Sequence, residues 1–217
     1  MRFKIPDLLS AEQRAELLTQ LKTAEFIDGK ATAGWYAKQV KHNQQLKADD
    51  AKAPREQIIT ILSGNPLFQA AVRPKRIHTV LLSRYESGMA YGTHADNALM
   101  GQWRSDVSFT VFLNHPQEYD GGELVIEGAD DEQVYKLPAG SAIIYPSSAL
   151  HRVNKVTQGV RLVAVGWVQS WVRDPAQREL LFDLDTARRS LFTRHGKTDE
   201  FDLISKSVAN LLRQWAD

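Results

Sequence analysis

The chain contains no cysteine, which excludes a disulfide framework, a thiolate metal site and a cysteine nucleophile. It also lacks an excess of either charge: the formal net charge is +1 over 217 residues. With no basic stripe interleaved with aromatics, no nucleic-acid partner is expected. Long hydrophobic runs are missing too. No apolar segment approaches a bilayer span, and Met1-Arg-Phe-Lys-Ile-Pro6 lacks the apolar centre of a signal peptide, so a cytoplasmic protein without a membrane partner is the default expectation. There is no internal repeat or low-complexity segment. The remaining composition is that of a soluble globular protein able to bury one sizeable core, and one catalytic domain is expected.

Local signals place the elements. Ser10 followed by Gln13 has the form of a capping box, and Leu17, Leu18 and Leu21 fall at helical spacing, predicting an amphipathic helix near 10–24. The stretch from Trp35 to Lys52 is polar with little periodicity and reads as strand fragments and loop. A second helix is predicted from Pro54 to Ser63, with the proline tolerated in its first turn. From about 77 to 171, short β-rich segments alternate with turn signals such as Tyr119-Asp-Gly-Gly122 and Leu137-Pro-Ala-Gly140, the spacing of a sandwich or jelly roll. The Gly121-Gly122 pair reads as a hairpin turn needing positive φ. Trp103 and Arg104 fall in a loop that is either a lid or an ordinary connection. After Trp171 the character changes: Asp174-Pro175 opens a helix to about Arg189, and a last helix covers about Thr198 to Trp215. The expected division is a domain over 1–171, with its β core at about 77–171, and a C-terminal helical extension over 172–217.

The chemistry concentrates in Tyr91-Gly-Thr-His-Ala-Asp96, answered by His151, 55 residues after Asp96, and by Arg161 ten residues beyond. Two imidazoles and one carboxylate on one face of a metal leave three adjacent positions open, as an Fe(II) centre needs to bind a bidentate co-substrate and oxygen together. A His-x-Asp triplet alone is weak, but its context strengthens it. It follows the β-rich run Ile77–Tyr85, and residues two apart on an extended strand project to one side. His151 lies between the apolar segments Ser141–Tyr145 and Arg161–Val168. The pattern points to an oxygenase.

Taken together, Tyr85, Tyr91, His94-Ala-Asp96, Ser108-Phe-Thr-Val-Phe-Leu-Asn114, Asp120-Gly-Gly-Glu-Leu124, Leu137-Pro-Ala-Gly140, Tyr145-Pro-Ser-Ser148, His151 and Arg161 resemble the Fe(II)/2-oxoglutarate dioxygenases of the prolyl 4-hydroxylase superfamily. More narrowly, Val40-Lys-His-Asn-Gln-Gln45 and the helical tail resemble the bacterial PKHD-type hydroxylases. The resemblance implies a mainly β fold, a double-stranded β-helix (jelly roll, cupin-like) core with helices at both termini. It makes His94, Asp96 and His151 the iron ligands and Arg161 the anchor of the distal 2-oxoglutarate carboxylate. Arginine suits that task, since it offers two parallel hydrogen bonds where lysine gives a point charge. Tyr85 falls near the co-substrate, and Tyr91 either lines the same cavity or is core. Relatives carry a tyrosine hydroxyl where this chain has Phe112, so Ser108 or Thr110 must supply that hydrogen bond or it is missing. Lys41, Asn43 and Gln44 either face the substrate or form a solvated loop. The implied reaction uses Fe(II), 2-oxoglutarate and O2, releases succinate and CO2, and draws on ascorbate as auxiliary reductant.

The rival reading is a cupin-like metal binder, a sensor or an isomerase on the same barrel. Arg161 discriminates, because such sites have no use for a carboxylate anchor ten residues after the last histidine. A pure interaction module would have no reason for the triad. The prime substrate stays open among a peptidyl residue, an amino acid and a small metabolite such as an iron chelator, and an oligomer is possible. His42, His78, His115 and His195 read as surface or satisfied histidines.

Overall fold

In the computed structural model, which describes all 217 residues, the architecture follows from strict alternation along a few strands. Pro74–Tyr85 and Arg161–Ser170 pair antiparallel along almost their whole length. They form the middle of a seven-stranded sheet ordered Phe3–Ile5, Ala142–Pro146, Val107–Phe112, Arg161–Ser170, Pro74–Tyr85, Gln44–Leu46, Phe26–Asp28. Because side chains alternate between faces, Val80, Leu82, Val107, Val111, Ala164 and Val168 turn one way, into a core shared with the helices. Tyr85, Phe112, Ile143 and Val163 turn the other way, into a second core. That core is closed by a five-stranded sheet ordered Glu132–Tyr135, Leu124–Glu127, His151–Val153, Ala90–His94, Lys41–His42. Two facing antiparallel sheets with helices at both ends make the expected jelly roll.

The helices outside the first core are fixed by local chemistry. Ala11–Thr23 starts at a complete capping box, in which the Gln13 amide donates to Ser10 Oγ (3.2 Å) and the Ser10 amide to Gln13 Oε1 (2.9 Å). Lys52–Gly64 carries Pro54 in its first turn. A third helix, Pro66–Val72, escaped the sequence reading although its signal is present: Asn65 Oδ1 accepts the Phe68 amide at 2.9 Å, and Pro66 opens the first turn, the usual cap-then-proline start. An N-terminal strand, Phe3–Ile5, was likewise not foreseen, and the strand expected from 77 begins at Pro74.

The tail forms two helices, Pro175–His195 and Asp199–Trp215, around a small cluster of Val172, Leu181 and Val208. The first runs one and a half turns further than predicted. The chain end is tied back to the β core by Arg104, which pairs with Asp217 at 3.1 Å, and by Lys75, whose ammonium donates to the Asp217 carbonyl at 2.7 Å. Trp103 and Arg104 are therefore structural. They pair with Leu99–Met100 in a short ribbon, and the Arg76 guanidinium stacks on Trp103 at 4.0 Å.

The Gly121-Gly122 pair has positive φ, 70° and 67°, but is not a hairpin. Tyr119–Gly121 pairs with Val156–Gly159, whereas Leu124–Glu127 belongs to the five-stranded sheet. The pair turns a corner between separate sheets, which local sequence cannot distinguish from a hairpin. A Cβ on Gly121 would lie 2.1 Å from the Lys155 carbonyl oxygen. Gly121→Ala should therefore cost at least the ~1–3 kcal/mol of a strained left-handed residue, read as a lower urea midpoint at unchanged m-value. An unchanged midpoint would mean that the corner relaxes freely.

Candidate metal centre and cavity

Two adjacent antiparallel strands set the histidines side by side. His94 ends Ala90–His94, His151 begins His151–Val153, and the two residues are direct register partners with rings 4.3 Å apart. Tyr91 stacks on His94 at 3.7 Å, and Tyr145 meets His151 edge-on at 5.1 Å. Asp96 lies beyond the strand end and not on a continued strand, so the two-residue spacing does not by itself aim its carboxylate. Ser108, on the opposite sheet, does so: its hydroxyl donates to Asp96 Oδ2 at 2.6 Å and contacts Ser147 Oγ at 2.7 Å.

The imidazoles are locked in one tautomer. His94 Nδ1 lies 2.8 Å from the Gly92 carbonyl and His151 Nδ1 3.0 Å from the Ala149 carbonyl. A carbonyl only accepts, so each Nδ1 carries a proton, and in the neutral ring the lone pair is then at Nε2. Burial, reinforced by the neighbouring His151, lowers the His94 pKa to about 4, leaving a neutral ring at pH 7. Each Nε2 stands 3.9 Å from a different Asp96 oxygen, beyond hydrogen-bonding distance. All three ligand atoms lie within 4.8 Å of one another. Two lone pairs and a buried carboxylate converging without a shared proton are favourable only around a cation, and the donor set fits a divalent metal.

The triad opens on a cavity of about 420 Å3 that also exposes Tyr85, Tyr91, Thr110, Tyr145 and Arg161. Arg161 is 1% exposed. Its register partner is Tyr85, and its guanidinium lies 5.0 Å from the Tyr85 ring and 5.6 Å from that of Phe112. Arg161 Nε and Nη1 are buried without a hydrogen-bond partner, and no carboxylate pairs with the group. Gly122 makes room for it, since a Cβ there would lie 3.0 Å from Arg161 Cδ.

Lys41 and Asn43 are buried and line the cavity with Gln45, whereas Gln44 does not. Lys41 Nζ donates to Thr32 Oγ1 at 3.0 Å and lies 5.1 Å from the Tyr91 ring centre. Desolvation brings it down to about 8, partly offset by the fields of Asp96 and Asp28, so it stays mostly charged at pH 7. The Ser108 hydroxyl is turned to Asp96 and Ser147. Thr110 lines the cavity, and burial pushes the Tyr145 phenol well up from its ordinary range. Sequence reasoning missed Tyr145 and the Trp167 indole, both on the cavity wall. The register that sets Tyr145 opposite Ser108 has no local signal. His78 bonds Thr79 and the Arg104 carbonyl, while His42, His115 and His195 are exposed.

The 2OG-Fe(II) oxygenase superfamily matches residues 80–169, and the PKHD-type hydroxylase C-terminal domain matches residues 175–217. A PKHD-type hydroxylase of Picosynechococcus is 65% identical over the whole of both chains. The chain belongs to the PKHD-type hydroxylases. Solved structures agree on the fold: a Pseudomonas putida prolyl-4-hydroxylase (21% identity, TM-score 0.54, covering 78% of this chain and 92% of that one) and HygX of Streptomyces hygroscopicus with nickel and 2-oxoglutarate bound (13%, TM-score 0.55, 79% and 84%). A PKHD-type hydroxylase is an enzyme of the 2-oxoglutarate-dependent class, which sets aside the cupin-like sensor or isomerase.

If Ser108 holds the Asp96 carboxylate for a metal, Ser108→Ala should weaken Mn(II) or Co(II) binding by about 10–100-fold, the usual cost of losing an outer partner of a ligand. Isothermal titration of the apoprotein measures this. Equal affinities would show that Asp96 is positioned without Ser108.

Proposed function

We propose that His94 and His151, through Nε2, and Asp96, through a carboxylate oxygen, hold a ferrous ion, and that Arg161 receives the distal carboxylate of 2-oxoglutarate. The enzyme then hydroxylates a small-molecule or peptide substrate with O2 and releases succinate and CO2. The observation that carries this reading is the buried Arg161 guanidinium, which has unpartnered N–H groups and shares its cavity with the triad. Leaving such a charge unpaired is costly, and a dicarboxylate lying between Arg161 and the triad answers both ends.

Iron, 2-oxoglutarate and oxygen together supply the oxidising chemistry, which no side chain of this protein can provide. The chain's own residues position and protect. Asp96 offsets part of the metal's charge, and Ser108 fixes the carboxylate. The Gly92 and Ala149 carbonyls hold both imidazoles with Nε2 turned inward. Tyr85 and Phe112 brace the guanidinium on two sides, so its planar fork meets a carboxylate with little ordering left to do. Tyr85, beside Asn43, offers a phenol to the same co-substrate. The apolar walls, including Leu81, Leu124 and Val165, limit water near the reacting centre. Ascorbate is the reductant proposed to keep the iron ferrous.

Removing one partner of a buried charge pair costs on the order of 2–5 kcal/mol, so Arg161→Ala should weaken 2-oxoglutarate binding by roughly 30-fold or more, with Arg161→Lys intermediate. Anaerobic titration into the metal-loaded protein tests this, and equal affinity for wild type and Arg161→Ala would move the anchor elsewhere. The His94→Ala/His151→Ala double variant should lose stoichiometric metal and all iron-dependent succinate formation. Full metal occupancy in that variant would end the assignment.

A further inference from the structure

Lys41 has no role in the scheme above, yet it is 5% exposed on the wall of the same cavity. A buried ammonium normally faces a carboxylate, because desolvation disfavours the charge unless it is paired. Lys41 has none within ion-pair distance. Its acceptor is the Thr32 hydroxyl, which in turn donates to Gln45 Oε1 at 2.6 Å. Asp96 and Asp28 act on it only through space; Asp96 accepts from Ser108 at 2.6 Å and Asp28 from the Lys30 amide at 2.9 Å. The remaining ammonium hydrogens have no acceptor in the protein.

The charges of the cavity sharpen the point. Its wall carries three charged residues: Lys41, Asp96 and Arg161. Arg161 and Asp96 cancel, and a divalent metal and the 2-oxoglutarate dianion cancel. Lys41 is left over. In a site this enclosed, an uncompensated charge favours a ligand of opposite sign. Lys41 also sits beside the triad and not at the co-substrate end. It is the register partner of Tyr91, which stacks on His94, whereas Arg161 pairs with Tyr85.

Resting on the metal and co-substrate reading above, we propose that the prime substrate is an anion, and that Lys41 receives its carboxylate or equivalent acidic group while the carbon to be oxidised faces the metal. Lys41 is then a specificity-determining residue. An acid and its neutral amide of the same shape should differ by about tenfold or more in occupancy, the range of a hydrogen bond to a charged group.

The test needs no knowledge of the natural substrate. Protein loaded with Mn(II) and saturating 2-oxoglutarate is mixed with matched pairs of benzoate and benzamide, 3-phenylpropionate and its amide, and N-acetylproline and its amide. Paramagnetic relaxation of the probe protons reports approach to the metal. Wild type should relax the acids more than the amides. Lys41→Met, and Lys41→Gln should the first fail to fold, should relax both alike while still taking up Mn(II) and 2-oxoglutarate by titration. Acids and amides relaxed equally by wild type, including no relaxation of either, or an acid preference surviving in both variants, would overturn this inference alone. Failure of wild type to take up Mn(II) and 2-oxoglutarate would overturn the underlying reading and this one with it.

Discussion

The hydrogen bond from Ser108 to Asp96 crosses the gap between the two sheets, and the geometry of the site depends on it. Both histidines come from one sheet, where neighbouring register positions make their proximity a consequence of pairing. The carboxylate has no such guarantee, because it belongs to the irregular segment after the strand. A short bond to the opposite sheet brings it in line with the two Nε2 atoms, and Ser108 is held in turn by Ser147. The three candidate ligands are thus referenced to both layers of the sandwich, and a shift of one sheet against the other would open the triad together with the core between the sheets.

The same economy governs the cations. Burying Arg161 is tolerable because its stem crosses Gly122, where a Cβ would clash, and its guanidinium lies near two aromatic rings. Those contacts restore part of the lost solvation without consuming the hydrogen-bonding edge. Phe112 then ceases to be a simple deficit. A phenol there would add a hydroxyl beside the guanidinium, whereas phenylalanine contributes an apolar wall and leaves the N–H groups to the ligand. Lys41 is handled differently, with one hydroxyl partner and a Tyr91 ring nearby. This is a weaker settlement, and the fold would gain stability by replacing the charge with an apolar side chain.

Much of this was legible in the sequence where chemistry and periodicity are local. The Ser10–Gln13 box, the strand-and-turn rhythm after 77, the two tail helices and the His-x-Asp, His, Arg order all survive in the structure. What was not legible is what pairing decides. Gly121-Gly122 has the turn chemistry of a hairpin but sits where the chain passes between sheets. Ser108 is one of two hydroxyls the sequence offers beside Phe112, and nothing along the chain says that its strand faces Asp96. Tyr145 stands in the sequence as part of a motif and not as a site residue, because register alone turns this strand tyrosine toward His151. Lys41 and Asn43 lay in the segment with the weakest periodicity, and two very short strands suffice to bury both.

The distribution of these residues along the chain separates two tasks. His94, Asp96, His151 and Arg161 all fall within residues 80–169, the part that matches the wider oxygenase superfamily. Lys41, Asn43 and Gln45 precede it: Lys41 is on the edge strand of the five-stranded sheet, Gln45 is on the strand next to the edge of the seven-stranded sheet, and Asn43 lies between the two. The two strands join the sandwich at opposite layers, Lys41–His42 beside Ala90–His94 and Gln44–Leu46 beside Pro74–Tyr85, and Lys41, Asn43 and Gln45 line the cavity where the chain crosses between them. The triad and Arg161 can therefore keep their arrangement while this wall changes, because the two sets of residues lie on different stretches of the chain. Between Thr32 and Gln45 the chain supplies a wall of the cavity outside the stretch that matches the wider superfamily, and the buried ammonium of Lys41 is the one charge that this segment presents to it.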